Sequence, residues 1–183
     1  MSFLMRSAIF AITAGFTGWM CMGGMAWASC NGASPNICTD SFTSNVKFDV
    51  SLSVSKNADI SFGTVQQNSC TYSIDTAGTV TGSPSGNCSY VTGTKTVGNL
   101  SITGSSTQAI TISANSYTAS STVTPSAATG KYGLGSEASL PMNVAAPGSS
   151  GTALLLGITV TTNGTETIGT TYTPTFTITV AYQ

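Results

Sequence analysis

Side chains that could carry out catalysis are few in this chain. The sequence has 183 residues, with six Asp or Glu, five Lys or Arg and no His. A nucleophilic triad would therefore need a carboxylate or a lysine as its base, and glycoside hydrolysis would need two paired carboxylates. Asp49 and Asp59 are separated by a turn, and Asp59 closely follows Asn57 as a turn residue. We predict no catalytic residues and expect that the chain is not an enzyme.

Signals for metal, phosphate or nucleic-acid binding are also missing from the sequence. Metal binding through cysteine needs a Cys-x-x-Cys pair or added histidines, and the chain has neither. The Gly133-Leu134-Gly135 stretch lacks the lysine and the strand-to-helix setting of a phosphate loop. We therefore predict no metal site and no cofactor. Nucleic acid is not an expected partner, because the cations form no basic patch; they are Arg6, Lys47, Lys56, Lys95 and Lys131.

The first 28 residues have the pattern of a secretory signal peptide. Arg6 is followed by an apolar run from Ala8 to Met25, and Ala26-Trp27-Ala28 has the small-x-small pattern of a cleavage site. This predicts a mature chain that begins at Ser29, exported through the periplasm to the cell surface or secreted. A retained membrane anchor is the alternative, because the run could span a bilayer. The glycines in the run and the Ala-x-Ala ending favour cleavage.

Four cysteines remain after the predicted cleavage, since Cys21 lies in the signal peptide. An even number of cysteines in an exported chain predicts disulfide bonds. We favour the pairs Cys30–Cys38 and Cys70–Cys88, because each pair closes a short loop that contains Gly, Pro or Asn.

Two stretches predict strands by strict alternation of apolar and polar residues. Period two places all apolar members of a stretch on one face of a strand. Pro174 can lie only at the start of the second strand, because proline cannot donate to a sheet ladder. The apolar residues are Val46, Phe48, Val50, Leu52 and Val54 near the mature start, and Phe176, Ile178, Val180 and Tyr182 at the C-terminal end.

Shorter strands separated by Gly, Asn, Ser and Pro clusters fill the region between these two stretches, and no helical period is visible. Asn163-Gly164 predicts a hairpin turn between strands at 153–162 and 165–171. Residues 124–138 show no clear period and are expected to be irregular. Many short strands at this spacing predict an all-β fold, and a sandwich is favoured over a barrel.

The C-terminal residues Phe176-Thr-Ile-Thr-Val-Ala-Tyr182-Gln183 resemble the C-terminal signature of fimbrial subunits that are assembled by the chaperone–usher route. Subunits of that family end in an alternating apolar strand with a penultimate tyrosine, and they carry a glycine one place away from the position of Gly169. The run from Val46 to Val65 is similar to the archaic branch of the family and to the related spore-coat-U-type secreted domains.

This resemblance implies an immunoglobulin-like antiparallel β-sandwich that lacks one strand. A periplasmic chaperone fills the gap first, and the N-terminal segment of the next subunit then replaces it at the outer-membrane usher. If the roles known in that family apply to this sequence, the run Val46–Val54 is the donor strand. The residues that flank the acceptor groove and contact the chaperone would then be Phe176, Ile178, Val180 and Tyr182. The implied layout is a signal peptide at 1–28, a donor segment at 29–54 and a pilin-like domain at 55–183.

The alternative is a self-complete secreted domain, in which the run Val46–Val54 pairs within its own chain. Such a domain would act as an adhesin or a carbohydrate-binding module that recognises host or surface glycans. Trp19 and Trp27 are both lost with the signal peptide, so only tyrosine and phenylalanine remain for stacking on a sugar. The two hypotheses differ in whether one molecule completes its own sheets.

Overall fold

The structure is a computed structural model that describes residues 43–45 and 50–183. The chain divides into two compact units after Val46, and all the regular structure described here belongs to the second unit. The described residues form no helix that is long and apolar enough to cross a membrane.

The second unit is an antiparallel all-β structure, as the sequence predicts. It contains the strands β1 (Ser53–Ala58), β2 (Thr64–Val65), β3 (Thr71–Ile74), β4 (Val80–Ser83), β5 (Tyr90–Thr92), β6 (Gly98–Thr103), β7 (Ile110–Thr118), β8 (Thr124–Tyr132), β9 (Ala138–Ser139), β10 (Met142–Val144), β11 (Thr152–Thr161) and β12 (Thr175–Tyr182).

Two main sheets are present: the large sheet, with seven strands in the order β1-β6-β11-β3-β4 and with β8 and β9 on the other side of β11, and the small sheet, with the order β10-β7-β12. Strand β11 lies at the centre of the large sheet. Along one edge its first half pairs with β6 and its second half with β3, and along the other edge it pairs with β8. Gly157 lies where these neighbours converge: a Cβ there would lie 2.3 Å from the carbonyl oxygen of Ile74 and 2.7 Å from Oγ1 of Thr129. Only glycine allows the backbones to approach so closely.

The order of the strands is that of an immunoglobulin-like sandwich. One sheet of that fold has the order A-B-E-D, and the facing sheet contains C, F and G. Here β1-β6-β11-β8 takes the positions A-B-E-D, and β7-β12 takes the positions C-F, with β10 on the other side of β7. Among the described residues, no strand takes the position of G beside β12.

The core lies between the inner faces of these two sheets. Ile102 and Leu154 from the large sheet and Ile110 and Ile112 from β7 are fully buried. Their alternation along each strand explains the fold, because period two gives each strand one apolar face to bury.

An insertion between β1 and β6 packs with residues of β8 and β11 into a second apolar cluster, which includes the disulfide Cys70–Cys88. The sulfur–sulfur bond joins residues 18 positions apart, and the backbone of Gly82 packs directly against Cys88. The predicted pair Cys70–Cys88 is therefore confirmed. Cys30 and Cys38 lie outside the described residues, so that pair stays a prediction.

Two expectations about the later strands are wrong. Residues 165–171 form no strand, because the Glu166 carboxylate accepts hydrogen bonds from the N–H groups of Asn163 and Gly164 and holds a compact loop. Residues 124–132 are not irregular but form β8. The inner face of β8 carries the small residues Ala128 and Gly130, and its one large side chain there, Tyr132, lies at the end of the strand. A single large residue at the end does not reveal a period of two.

Candidate functional site

The C-terminal strand β12 is an edge of the small sheet. It pairs with β7 from Thr175 opposite Thr118 to Tyr182 opposite Ile110, and no other described strand pairs with it. An unpaired edge presents backbone N–H and C=O groups to which a further strand can bind. Strand β12 can therefore accept an added strand through main-chain hydrogen bonds.

The side chains of β12 alternate between the core and the solvent. Thr177 and Thr179 are exposed on the outer face, and Asn115 of β7 donates a hydrogen bond to Oγ1 of Thr179. The inner face carries the residues that the sequence predicts as one apolar row; they are half-buried and pack against the core: Phe176, Ile178, Val180 and Tyr182.

A groove of about 1200 Å³ lies between β12 and β1. This volume exceeds the roughly 300–1,000 Å³ of a small-molecule site. The floor is made by core residues of the large sheet. The sides are made by the edge strands β1 and β12, together with residues 59–67 and the loop at 166–174. Its apolar lining includes Leu100, Leu156 and Ile158 on the floor, Phe176 and Ile178 on one side, and Val54 on the other. The shape and the lining suit an extended apolar segment.

Val54 shows that the described residues leave part of the large sheet's inner face uncovered. It pairs with Ile102, so both side chains lie on the inner face of the large sheet. Ile102 is fully buried, whereas Val54 is 44% exposed. Because Val54 lines the groove, its exposure comes from the empty space beside β12 and not from an outward orientation.

The Tyr182 end of β12 is covered by residues of the same chain. The Tyr182 hydroxyl accepts a hydrogen bond from the N–H of Ser105 at 2.7 Å and donates one to the carbonyl oxygen of Val50 at 2.8 Å. Leu52 packs against the same core cluster as Val180 and Tyr182. Gly104 leaves room for both side chains, because a Cβ there would lie 3.0 Å from Cδ1 of Leu52.

The opposite end of the groove is bounded by the loop that follows β11. The carboxylate of Glu166 is 9% exposed and accepts hydrogen bonds at 3.0 Å from the N–H groups of Asn163 and Gly164. Gln67 donates from its side-chain amide to the carbonyl oxygen of Glu166, and the fully buried Tyr72 donates to that of Gln66 at 2.6 Å. These bonds join the loop to the groove wall.

Two pKa values at this end reflect that arrangement. Burial alone would raise the pKa of Glu166, but the N–H donors outweigh it and hold the pKa below its ordinary value. Burial raises the pKa of Tyr72, and the negative charge of Glu166 raises it further. Glu166 is therefore ionised and Tyr72 neutral at pH 7, which suits a structural role for both.

Most of the predicted donor residues that the structure describes lie in the chain's own domain. Val54 is in β1, and Leu52 packs at the Tyr182 end of β12. Val50 is 55% exposed, and its carbonyl oxygen accepts the Tyr182 hydrogen bond. Val46 and Phe48 lie outside the described residues. Donation of this run to a neighbour stays a prediction, and the predicted boundary at 54/55 falls inside β1.

Sequence reasoning missed the floor of the groove and its loop end. Leu100 and Leu156 lie in the region where the sequence predicts short strands, and nothing in their local pattern distinguishes a covered floor from an uncovered one. Glu166 carries no sequence signal beyond its place after Asn163-Gly164, where a hairpin was expected.

A smaller pocket holds two carboxylates that are engaged in local structure. Glu137 accepts hydrogen bonds from the N–H and the hydroxyl of Thr76 at 3.0 and 2.6 Å. Asp75 accepts from the N–H groups of Ala77 and Thr79. Both carboxylates therefore stabilise loops. Within the part of the chain that the structure describes, no group of three or more potential metal ligands occurs.

These features define the class of the protein: an immunoglobulin-like β-sandwich whose last strand borders an open apolar groove. The chain belongs to the DUF4402 family, a domain of unknown function, and the match covers residues 52–182. The matched region runs from just before β1 to the last residue of β12, so it contains both sides of the groove. No curated protein and no solved structure matches the chain.

Proposed function

We propose that this protein is a structural subunit of a bacterial surface fibre, and that its groove receives a strand from a neighbouring copy. The observation that carries the proposal is the edge of β12 that is left unpaired by every described strand, beside a groove whose floor is made by core residues. An added strand there would gain main-chain hydrogen bonds from β12 and would bury apolar side chains against Leu156 and Ile158. The main-chain hydrogen bonds favour an extended strand over a small ligand, and the apolar burial favours a strand with apolar side chains.

The donor in this proposal is the alternating run that begins at Val46 of another copy. Its apolar side chains recur every second residue, which is the spacing needed to fill a groove beside β12. The low charge of the chain, with a formal net charge of −1, also limits repulsion between stacked copies.

The same groove supports a proposal for the partners that act in export and assembly. An open groove leaves core side chains in contact with water, and such a surface risks non-specific association before a neighbour arrives. A periplasmic chaperone that covers the groove and an outer-membrane usher that exchanges it for the donor strand are therefore the proposed partners. The signal peptide predicted at residues 1–28 supplies the route to them.

The test is electron microscopy of cells that express the full chain and two matched variants. Phe48→Ser removes one large side chain from the apolar row of the donor run, and Lys47→Ser changes the opposite face. We expect fibres from the unchanged chain and from Lys47→Ser, and few or short fibres from Phe48→Ser. Absence of fibres from the unchanged chain, or equal fibres from both variants, contradicts the proposal.

A further inference from the structure

The Tyr182 end of the groove is already occupied by the chain itself. Of the residues of β12, the open groove is lined by Thr175–Ile178 and not by the last four residues. Val180 and Tyr182 instead share their core cluster with Leu52, and Tyr182 is bonded to Val50. We call Val50–Leu52 the plug, because it covers the half of the inner face of β12 that the groove leaves out.

The plug is continuous with a strand that is firmly part of the domain. Ser53, directly after Leu52, pairs with Thr103, and β1 continues along β6 to Ala58. Pulling Leu52 out would remove an apolar side chain from the core and would break the hydrogen bond from Tyr182 to Val50. Both changes cost free energy, since the site left by Leu52 loses its apolar contacts and the Tyr182 hydroxyl loses a hydrogen-bond acceptor.

We propose that each subunit keeps its own plug, so that a neighbour's donor strand fills only the part of the groove beside Phe176 and Ile178. This inference rests on the proposed function and narrows the donor to the residues before Val50. Val46 and Phe48 are two apolar residues at alternate positions, and they match the two inward side chains of β12 that border the open groove. The occupant is thus the segment that ends at Asp49 in a second copy of this chain.

The alternative within the same function is that the whole run Val46–Val54 leaves its own domain and enters a neighbour. The two arrangements differ in whether Ser53 stays paired with Thr103 of its own molecule. If the plug stays, Ser53 remains beside Thr103 in the same molecule; if the whole run is donated, the two residues separate.

A disulfide that locks Ser53 to Thr103 distinguishes these arrangements in the full chain. The two residues are antiparallel partners with outward side chains, and the roughly 4.5–5.5 Å between Cα atoms of such partners suits a disulfide. One residue of extended chain spans only about 3.3 Å, so Leu52, next to the crosslinked residue 53, cannot reach the groove of a neighbouring molecule. The variant is Ser53→Cys with Thr103→Cys, oxidised before assembly. The matched control is the same variant kept reduced, in which positions 53 and 103 are free to separate.

We expect the locked Ser53/Thr103 variant to form fibres as long as those of the control, with all subunits running as monomers on a non-reducing denaturing gel. If the control forms fibres and the locked variant stays monomeric until reductant is added, the whole run is donated and the inference is overturned, although the proposed function stands. If the unchanged chain forms no fibres, the proposed function fails, and the inference fails with it.

Discussion

Glu166 illustrates how a single residue holds the loop end of the groove. Its carboxylate receives two backbone N–H groups, and its own carbonyl oxygen accepts the amide of Gln67 from the facing wall. Backbone N–H groups that donate to a buried carboxylate favour its ionised form. The loop end should therefore depend on pH.

The first prediction concerns Glu166→Gln. The folded pKa of Glu166 lies below its unfolded value, so its contribution to stability is full above the unfolded pKa and is lost as the pH falls through the folded one. At pH 7 we expect Glu166→Gln to lower the free energy of unfolding by about 1–2 kcal/mol, because an amide cannot accept both N–H groups as well as a carboxylate does. The measurement is urea unfolding of both chains from pH 7 to pH 3.

The difference in the free energy of unfolding between the unchanged protein and Glu166→Gln should decrease below about pH 4, near the ordinary pKa of a glutamate. Glu137, whose pKa is also lowered, is present in both chains and cancels in the comparison. A gap that keeps the same size at every pH would show that the carboxylate charge does not hold the loop.

At the scale of elements, β12 has two faces that can be changed separately. Ile178 faces the groove and Thr177 faces the solvent. The exposed face of an edge strand tolerates charge, whereas a charge that becomes buried without a partner is strongly unfavourable.

The second prediction compares Ile178→Lys with Thr177→Lys. In the free chain the new lysine at 178 can extend its ammonium group to water through the open groove, so we expect both variants to fold. In the fibre a donor strand would cover that ammonium group, so we expect Ile178→Lys to reduce assembly at least tenfold and Thr177→Lys to leave it nearly unchanged. Light scattering of purified chains measures the assembly.

The milder substitution Ile178→Ser serves if Ile178→Lys does not fold. Equal assembly by the Thr177 variant and by every folded Ile178 variant would rule out burial of this side chain under an incoming strand.

The elements also show where prediction from sequence succeeded. Phe176–Tyr182 was recognised because large apolar and hydroxyl residues alternate without interruption. Strand β8 was missed because its inner face carries Ala128 and Gly130, and the expected strand at 165–171 was wrong because Glu166 folds the loop onto itself. The local sequence pattern therefore identifies a strand when its buried face carries large apolar side chains. It fails when the buried residues are small, as in β8, or polar, as in the loop held by Glu166.

At the scale of the whole molecule, the disulfide Cys70–Cys88 restricts the unfolded chain more than it shapes the folded one. A crosslink across 18 positions removes loop-closure entropy from the unfolded state. In the folded state both cysteines are buried in the cluster that packs against Ile60, Phe62 and Val65, which line the groove wall.

The third prediction is that Cys70→Ala with Cys88→Ala lowers the free energy of unfolding by about 3 kcal/mol. Chemical denaturation of the full chain measures this loss. The two single variants serve as controls and should each lose about as much as the double variant, because either one breaks the same bond. Single losses that add up to the loss of the double variant would indicate packing effects instead of a crosslink.

The sequence by itself determined the all-β class, the Cys70–Cys88 bond and the apolar row on β12, because each depends on residues close together in the chain. It also located the run at Val46–Val54, but it could not assign that run to its own molecule or to a neighbour. Only the tertiary structure revealed that β12 has an edge to which no other described strand pairs, that Leu100, Leu156 and Ile158 form the floor of a groove, and that Leu52 covers the Tyr182 end of β12. The reason is that a missing strand is a property of the space between two sheets, and that space is set by residues far apart in the chain.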